Sequence, residues 1–229
     1  QFGHVVLLMP ASINFIVAMF TCLKLKIPYV PLNIDTTIHY INGIIDSACV
    51  RLILVDDSAP FYCEQIAYAR LNIDSMEICN EFLQSSSMNL PPKYGSVLNK
   101  HAYTIYTSGT TGKPKGVVIT HGNIISLLEA TQKIFKFTPS DRIPLFHSVA
   151  FDFSVWEILI ALMFGGCLLI VDKSSKKSIL EYLIWLEENK VTVLNLTPSL
   201  FYQMCEAMNK HQRTDLFIRT VILGGEALQ

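Results

Sequence analysis

Apolar runs and helical patterns alternate along the first 55 residues. Apolar segments at 5–9 and 29–32, and the segment 51–55, which is apolar after Arg51, are separated by segments 12–25 and 39–47, in which apolar residues recur with helical spacing. Strands that are apolar on both faces are typical of a parallel sheet covered by helices. A hydrophobic fraction of 51% with 16% charged residues favours such a buried sheet. The alternation therefore predicts a βαβαβ arrangement and an α/β fold.

A similar alternation continues in the second half of the chain. It predicts helices at 124–135, 155–163, 179–189 and 198–208, and strands at 141–146, 167–171, 191–196 and 217–223. Residues 56–100 are less informative, and we predict there a short helix at 63–71, a strand at 73–78 and a connecting loop at 85–92. We expect two parallel-rich β-sheets flanked by helices, in two partial αβ subdomains of residues 1–100 and 101–229.

A loop of glycine and hydroxyl residues lies at the centre of the chain. The β-branched and aromatic run 103–106 leads into Thr107–Gly112, which contains only glycine, serine and threonine, and β-branched residues return at 117–120. Glycines let backbone N–H groups converge on an anion, and hydroxyl and ammonium groups add donors. No Asp or Glu occurs from Phe82 to Leu128. The pattern predicts a strand, a polyphosphate-binding loop and a second strand.

Two other interpretations of this loop are disfavoured. A Walker-type P-loop needs Gly-Lys-Ser/Thr opening a helix, with a second glycine five positions earlier. Here Pro114 follows Gly112-Lys113, and Thr107 occupies the earlier glycine position. A mobile Gly/Ser/Thr linker is rarely set between two short apolar β-type runs.

The segment Tyr103–Gly116 resembles the signature loop of the adenylate-forming superfamily, which comprises acyl-CoA synthetases, luciferases and the adenylation domains of nonribosomal peptide synthetases. In that family the loop closes over the β- and γ-phosphates of ATP and the departing pyrophosphate. The resemblance implies ATP and pyrophosphate binding by Thr107, Ser108, Gly109, Thr110, Thr111, Gly112, Lys113, Lys115 and Gly116. Residues 23–32 resemble an early adenylation-domain motif, but Lys26 or Ile27 occupies its glycine position.

Asp152 lies among aromatic residues, where an unpaired buried carboxylate would be costly. One explanation is local, with Asp152 or Ser154 capping the following helix. The run Phe151–Glu157 is similar to the peptide-synthetase motif whose aspartate binds the α-amino group of an amino acid. The resemblance therefore implies that Asp152 anchors a substrate ammonium group. Synthetases for simple fatty acids generally lack this aspartate, which favours an amino-acid substrate.

Further site residues follow from local alignment with the same family. The implied substrate-binding residues are Asp152, Phe153, Trp156, Asn195, Ile222 and Gly224, each of which could instead serve core packing. Phe153 is bulkier than the small residue often found there and indicates a shortened pocket. His147 is a candidate gate between ATP and the acceptor thiol, or a hydrogen-bonded core residue. Gly224, Gly225 and Glu226 resemble the segment along the adenine.

The resemblance implies ATP-dependent conversion of an amino-acid carboxylate to an aminoacyl-adenylate, with Mg²⁺ bridging phosphate oxygens. The acceptor would be the phosphopantetheine thiol of a peptidyl carrier protein, and a condensation domain is a further expected partner. The chain would stop before the Tyr-Gly-x-Thr-Glu segment, the ribose-binding aspartate and the domain that carries the catalytic lysine. We therefore expect no metal ligand in the chain and little activity from it alone. An acyl- or aryl-CoA ligase and an inactive interaction module remain alternatives.

Charge and cysteine content exclude several other classes of function. The formal net charge of −1 gives no support for nucleic-acid binding or for attachment to an anionic membrane. The six cysteines are scattered without a Cys-x-x-Cys pair, which predicts free, reduced thiols and a cytoplasmic protein. The apolar run 5–9 is bounded by Pro10 and lacks a basic region before it. We interpret that run as a buried strand, not as a signal peptide or membrane span.

Overall fold

The computed structural model describes residues 3–60, 66, 68–75, 97–107, 114–211 and 216–227. The chain divides into two compact units, Gln1–Leu127 with Ser148–Phe151, and Leu128–His147 with Asp152–Gln229. The division falls after Leu127, and not at residue 100, because the strands on either side of the predicted phosphate loop complete the sheet of the first unit.

The described residues contain ten strands and six helices. In chain order these are β1 His4–Leu8, α1 Ile13–Leu25, β2 Tyr29–Leu32, α2 Ile38–Ala48, β3 Val50–Val55, β4 Arg70–Asn72, β5 His101–Thr107, β6 Lys115–Thr120, α3 His121–Phe135, β7 Arg142–Leu145, α4 Asp152–Met163, β8 Cys167–Ile170, α5 Ile179–Glu188, β9 Val193–Leu196, α6 Pro198–His211 and β10 Thr220–Leu223. The predicted α/β class and the βαβαβ start are confirmed.

The first unit is built on a six-stranded sheet with the order β4-β3-β1-β2-β5-β6. All neighbouring strands are parallel except β5 and β6, which form an antiparallel pair. The central strand β1 is almost wholly buried, with Val6, Leu7 and Leu8 at 0% exposure. A strand enclosed on both faces needs apolar side chains at every position, which explains the continuous apolar run seen in the sequence.

Helix α1 shows how local chemistry sets an element's bounds. Ser12 precedes the helix and its side chain accepts a hydrogen bond from the Phe15 N–H, so it acts as the N-cap. Lys26 ends the helix in the left-handed conformation, with φ 60°, and its N–H bonds to the Cys22 and Leu23 carbonyls. Lys26 is one of the two residues predicted to occupy the glycine position of the resembled motif, and a lysine in this backbone conformation costs about 1–2 kcal/mol.

The second unit contains two parallel strand pairs, β7 with β8 and β9 with β10. Thr192 links the pairs near their amino ends, since its N–H bonds to the Arg142 carbonyl and its hydroxyl accepts from the Arg142 N–H. Helix α4 is buried along most of its length, from Ser154 to Ala161. It packs on one side of these strands, while Tyr182, Leu183 and other residues of α5 pack in a separate apolar cluster.

A buried carboxylate binds the amino ends of three strands together. Asp141 precedes β7 and accepts hydrogen bonds from Thr138, Thr192 and Arg219. Arg219 precedes β10 and contacts both carboxylate oxygens, at 2.7 and 2.6 Å. Burial alone would raise the pKa of Asp141, but the bonds from Arg219 and the two threonines lower that pKa to about 2.

Two predicted elements between residues 56 and 100 are wrong where the structure describes them. Residues 70–72 form β4 and residues 68–69 are not helical, so the helix predicted at 63–71 does not extend there. Residues 73–75 form a turn instead of the predicted strand. Because β4 is an exposed edge strand, with Leu71 38% exposed, it lacks the apolar alternation that identifies a buried strand. Residues 76–78 and the loop predicted at 85–92 lie outside the described residues.

Among the described cysteines, Cys22, Cys49, Cys167 and Cys205 are free thiols, and burial raises the pKa of Cys22 to about 11. The described residues contain no group of three His, Cys, Asp or Glu side chains that could hold a metal ion. In the same part of the chain, every helix is too short or too polar to cross a membrane.

Candidate functional site

Strands β5 and β6 flank the predicted phosphate loop in the first unit. Their antiparallel register places Thr107 opposite Lys115 and Tyr106 opposite Gly116. Thr107 and Lys115 are both exposed, so a hydroxyl and an ammonium group stand at the loop end of the hairpin. The predicted phosphate-binding residues from Ser108 to Lys113 lie outside the described residues.

Gly116 is needed for packing at the base of this hairpin. A Cβ atom added there would lie 2.9 Å from Thr104 Cγ2 and 3.1 Å from Tyr106 Cζ. The Tyr106 ring is held in place because its hydroxyl lies 3.1 Å from Ser47 Oγ on α2. The glycine therefore lets β6 pass directly over the Tyr106 ring, where the loop begins.

A cleft of about 410 Å³ lies against this hairpin and the end of α2. His4 and Thr104 are among its lining residues, and their side chains bond to each other, while His4 also bonds to the backbone. His4 Nδ1 lies 2.6 Å from the Ala48 carbonyl oxygen, so it carries the hydrogen, and Nε2 accepts from the Thr104 hydroxyl at 3.1 Å. Burial lowers the pKa of His4, which favours this neutral form.

In the second unit, the predicted amino-group anchor Asp152 is the first residue of α4. Its side chain is exposed, and within the described part of the chain no hydrogen bond or ion pair engages its carboxylate. An aspartate in the first turn of a helix is stabilised by the helix dipole. The carboxylate is thus accessible to a cationic ligand.

Phe153, His147 and Gly224 are brought together by the fold. The Phe153 ring lies edge-on to the His147 ring, with 5.0 Å between ring centroids. A Cβ atom at Gly224 would lie 2.8 Å from Phe153 Cζ, so the phenyl ring covers the backbone at the end of β10. Glycine at this position provides the space that the aromatic ring occupies.

Asn195 and Ile222 lie on the side of the β9–β10 pair that faces α4, and Trp156 lies on α4. Asn195 and Ile222 are directly paired in the parallel register, and Ile222 packs against the apolar cluster that contains Trp156. Trp156 is 8% exposed and packs edge-on to Phe137, as the core-packing alternative requires. Asn195 is 5% exposed, and the described residues offer its amide no hydrogen-bond partner. A buried amide of this kind is suited to a polar group of a ligand.

His147 is held by a buried glutamate of α4. The Glu157 side chain is 1% exposed and its Oε1 lies 2.5 Å from His147 Nδ1. Its other oxygen, Oε2, accepts from the backbone N–H groups of Phe146 and His147, at 3.1 and 3.3 Å. Burial raises the pKa of Glu157, and the hydrogen bonds from His147 and Phe146 oppose that rise.

Two more side chains surround this pair. Lys176 Nζ donates to the Phe146 carbonyl at 2.5 Å and lies 5.0 Å from the centroid of the Phe146 ring. Burial lowers the pKa of Lys176, and the charges of Glu157 and Asp172 act in the opposite direction. Tyr182 packs on Phe146 with 4.6 Å between ring centroids, and burial raises its pKa.

The predicted adenine-side residues form a turn after β10. Gly225 has φ +83°, a conformation that favours glycine, and Gly224 N–H bonds to the Leu196 carbonyl at 3.1 Å. The Glu226 carboxylate accepts from Ser199 N–H at 3.1 Å and from Ser199 Oγ at 2.9 Å. Glu226 therefore caps the first turn of α6.

Glu157 has no role among the predictions made from the sequence. It is the one acidic residue in the otherwise apolar run 155–163, and a carboxylate inside a buried helix requires partners. That signal was available, but its partner His147 precedes the helix, and only the fold shows that the two side chains meet.

Comparisons with known proteins agree with this architecture. The family model described as AMP-binding enzyme matches residues 3–229. A dimodular nonribosomal peptide synthase of Bacillus subtilis (strain 168) is 37% identical over 234 residues, which cover 98% of this chain and 10% of that protein. Syringomycin synthase SyrB1 of Pseudomonas syringae pv. syringae is 35% identical over 223 residues, covering 96% of this chain and 35% of that protein.

A solved structure gives the same result for the fold. The crystal structure of a nonribosomal peptide synthetase, FmoA3, superposes with a TM-score of 0.83 at 21% identity, over 99% of this chain and 23% of that one. The chain therefore spans about a tenth to a third of the two curated relatives, and about a quarter of this solved chain.

Proposed function

Since this chain belongs to the AMP-binding enzyme family, we propose that it is part of an adenylate-forming ligase that activates an amino acid. The substrate carboxylate attacks the α-phosphate of ATP, which yields an aminoacyl-adenylate and pyrophosphate. The adenylate is then transferred to the phosphopantetheine thiol of a carrier protein. The curated relative named a dimodular nonribosomal peptide synthase supports the choice of an amino acid over another acid.

The observation that carries this proposal is the placement of Asp152. Its carboxylate is exposed at the start of α4, next in sequence to Phe153, whose ring covers Gly224. An exposed carboxylate beside apolar side chains suits the α-ammonium group of an amino acid. Trp156, Asn195 and Ile222 would line the deeper part, and the size of Phe153 favours a short substrate side chain.

The loop between β5 and β6 would bind the phosphates of ATP. Thr107 and Lys115 stand opposite each other at its two ends, which supports contacts from both sides to the β- and γ-phosphates. Ser108, Thr110, Thr111 and Lys113 complete the proposed set from the sequence, together with the glycines of the loop. Gly224 and Gly225 would lie along the adenine, whereas Glu226 is engaged with Ser199.

Mg²⁺ is part of the proposal as the ion that accompanies ATP and neutralises its phosphate oxygens. The described residues do not form a metal site by themselves. His147 would stand between the nucleotide and the acceptor thiol. A peptidyl carrier protein, and a condensation domain in an assembly of this kind, are the proposed partners.

The test is amino-acid-dependent exchange of pyrophosphate into ATP, measured with the full-length protein. Asp152→Asn should lower kcat/KM for the amino acid by about 100-fold, because the ammonium group loses its charged partner, while KM for ATP stays unchanged. Asp46→Asn, an exposed aspartate of α2 in the other unit, is the matched control.

Three outcomes would contradict the proposal. Equal kcat/KM in Asp152→Asn and Asp46→Asn would mean that Asp152 does not bind the amino group of the substrate. Exchange supported only by acids without an amino group would indicate an acyl- or aryl-CoA ligase. The absence of both exchange and ATP binding in calorimetry would indicate an interaction module.

A further inference from the structure

Glu157 occupies a position that requires an explanation beyond packing. It is 1% exposed in the middle of a buried helix, where an aliphatic side chain would avoid the cost of desolvating a carboxylate. Its two oxygens receive three hydrogen bonds, two from the backbone N–H groups of Phe146 and His147 and one from the His147 ring. The two backbone N–H groups donate to Oε2, and the His147 ring donates to Oε1.

A carboxylate differs from an amide in what it imposes on the ring. An ionised carboxylate only accepts hydrogen bonds, so a histidine nitrogen that bonds to it must carry the hydrogen. A glutamine could satisfy the two backbone N–H groups with its oxygen, but its NH₂ group would then face Nδ1. Nδ1 would become an acceptor, and the hydrogen of the neutral ring would move to Nε2.

We propose that Glu157 is a positioning residue for His147, holding the imidazole with its hydrogen on Nδ1 so that Nε2 is the acceptor nitrogen of the neutral ring. The inference rests on the proposed function, in which His147 stands beside the path of the acceptor thiol. A thiol S–H is a hydrogen-bond donor and is matched by an acceptor nitrogen.

The surroundings of the pair restrict the ring further. Phe146 and Phe153 meet the His147 ring nearly at right angles, with centroid distances of 5.6 and 5.0 Å. The Phe146 N–H donates to Glu157, and the Phe146 carbonyl accepts from Lys176 Nζ. The backbone is therefore held on both sides of Phe146. The ammonium charge of Lys176 also favours the ionised form of Glu157. These contacts restrict the orientation of the imidazole.

The first test is kinetic and uses the full-length protein. Glu157→Gln should lower kcat for thiol loading by about 10- to 100-fold with KM for ATP unchanged, because substitution of a residue that orients a functional histidine typically costs this much. Glu188→Gln, an exposed glutamate at the end of α5, makes the same change in charge and should behave as wild type. Equal loading by the two variants would overturn the proposal.

A double-mutant cycle separates positioning from a purely structural role. His147→Asn keeps a donor near the Nδ1 position but removes Nε2. If Glu157 acts through Nε2, Glu157→Gln should have no further effect on loading in the His147→Asn protein. An equal additional loss in both backgrounds would mean that Glu157 serves only the backbone N–H groups.

A spectroscopic test is independent of activity, and its wild-type measurement does not depend on whether Glu157→Gln folds. Nitrogen NMR of the histidine-labelled full-length protein, with the His147 signals assigned by their loss in His147→Asn, should show hydrogen on Nδ1 in the wild type. The signals should show hydrogen on Nε2 in Glu157→Gln. Hydrogen on Nε2 in the wild type would overturn the proposal. If the wild type neither exchanges pyrophosphate nor loads a thiol, the proposed function fails, and the NMR result still decides the role of Glu157.

Discussion

Removal of the Arg219 guanidinium should weaken the second unit in a way that depends on the charge of Asp141. Asp141 is 2% exposed and accepts a two-pronged hydrogen bond from Arg219, together with bonds from Thr138 and Thr192. Arg219→Met keeps the length of the side chain but leaves this carboxylate without its cationic partner. The loss should therefore come from electrostatics and hydrogen bonding, with little change in packing.

The magnitude follows from the pKa of Asp141. A carboxyl pKa held at about 2, against its ordinary value of 3.8, corresponds to about 2 kcal/mol of native-state stability at neutral pH. Breaking a fully buried ion pair typically costs about 3–5 kcal/mol. The decrease in the free energy of unfolding should be smaller here, because Arg219 is 39% exposed and the two threonines continue to donate to Asp141. We expect Arg219→Met to lower the free energy of unfolding by about 1–2 kcal/mol at pH 7.

The pH dependence gives the sharper test. Because the folded-state pKa of Asp141 is below its unfolded value, its contribution is complete above about pH 4 and is lost as the pH falls towards 2. The difference between wild type and Arg219→Met should therefore close over this range. Urea unfolding followed by tryptophan fluorescence is suitable, since Trp156 and Trp185 both lie in the second unit.

Two variants serve as controls for this measurement. Lys173→Met removes an exposed positive charge from the same unit and should change stability by less than about 0.5 kcal/mol. Asp141→Asn should have a much smaller effect in the Arg219→Met background than alone, because the two side chains act as one pair. A stability difference for Arg219→Met that persists unchanged at pH 2 would refute the electrostatic explanation.

Two further predictions concern the candidate pocket and the first unit. Phe153→Ala should remove the ring that covers Gly224. In pyrophosphate exchange, this variant should raise the relative kcat/KM for amino acids with larger side chains by about tenfold. Phe217→Ala removes an exposed phenyl ring and should leave the preference unchanged. His4 has a pKa lowered mainly by burial, so the unfolded chain binds more protons and the stability of the first unit should fall as the pH drops below about 6.5. His4→Gln should flatten this dependence in urea unfolding followed by circular dichroism, and an unchanged slope would contradict it.

Much of the fold could be predicted because its strands and helices carry strong local patterns. The strand Tyr29–Leu32 and the helix after Ser12 match their predicted positions, since a buried apolar run and an N-cap are both visible in the sequence. Edge strand β4 was not predicted, because a half-exposed strand of three residues has no distinctive periodicity. The left-handed backbone conformation of Lys26 was also not predicted, because no feature of the neighbouring sequence indicates it for a lysine.

The candidate site shows a different limit. The sequence identifies residue types in short motifs, such as Phe151–Ser154 and Gly224–Glu226, but not the contacts between motifs. The packing of Phe153 on Gly224 and the Asn195–Ile222 pairing depend on strands and helices that are distant in sequence. The engagement of Glu226 with Ser199 was likewise invisible, since it depends on how the turn after β10 meets the start of α6.

The two buried carboxylates of the second unit differ in a way that indicates different roles. Asp141 has a permanently charged partner, and its pKa of about 2 means that its ionised form stabilises the fold. Glu157 has a histidine as its partner, and its pKa is raised, so the ionised form is less favoured in the folded protein than in water. A residue that only had to fill this helix position could be leucine or methionine at lower cost. Asp141 lies at the amino ends of β7 and β10, whereas Glu157 bonds to residues that follow the carboxyl end of β7, where ligands bind in open α/β sheets. The costly carboxylate is thus found at the end of the strands where ligands bind, as its proposed role in positioning His147 requires.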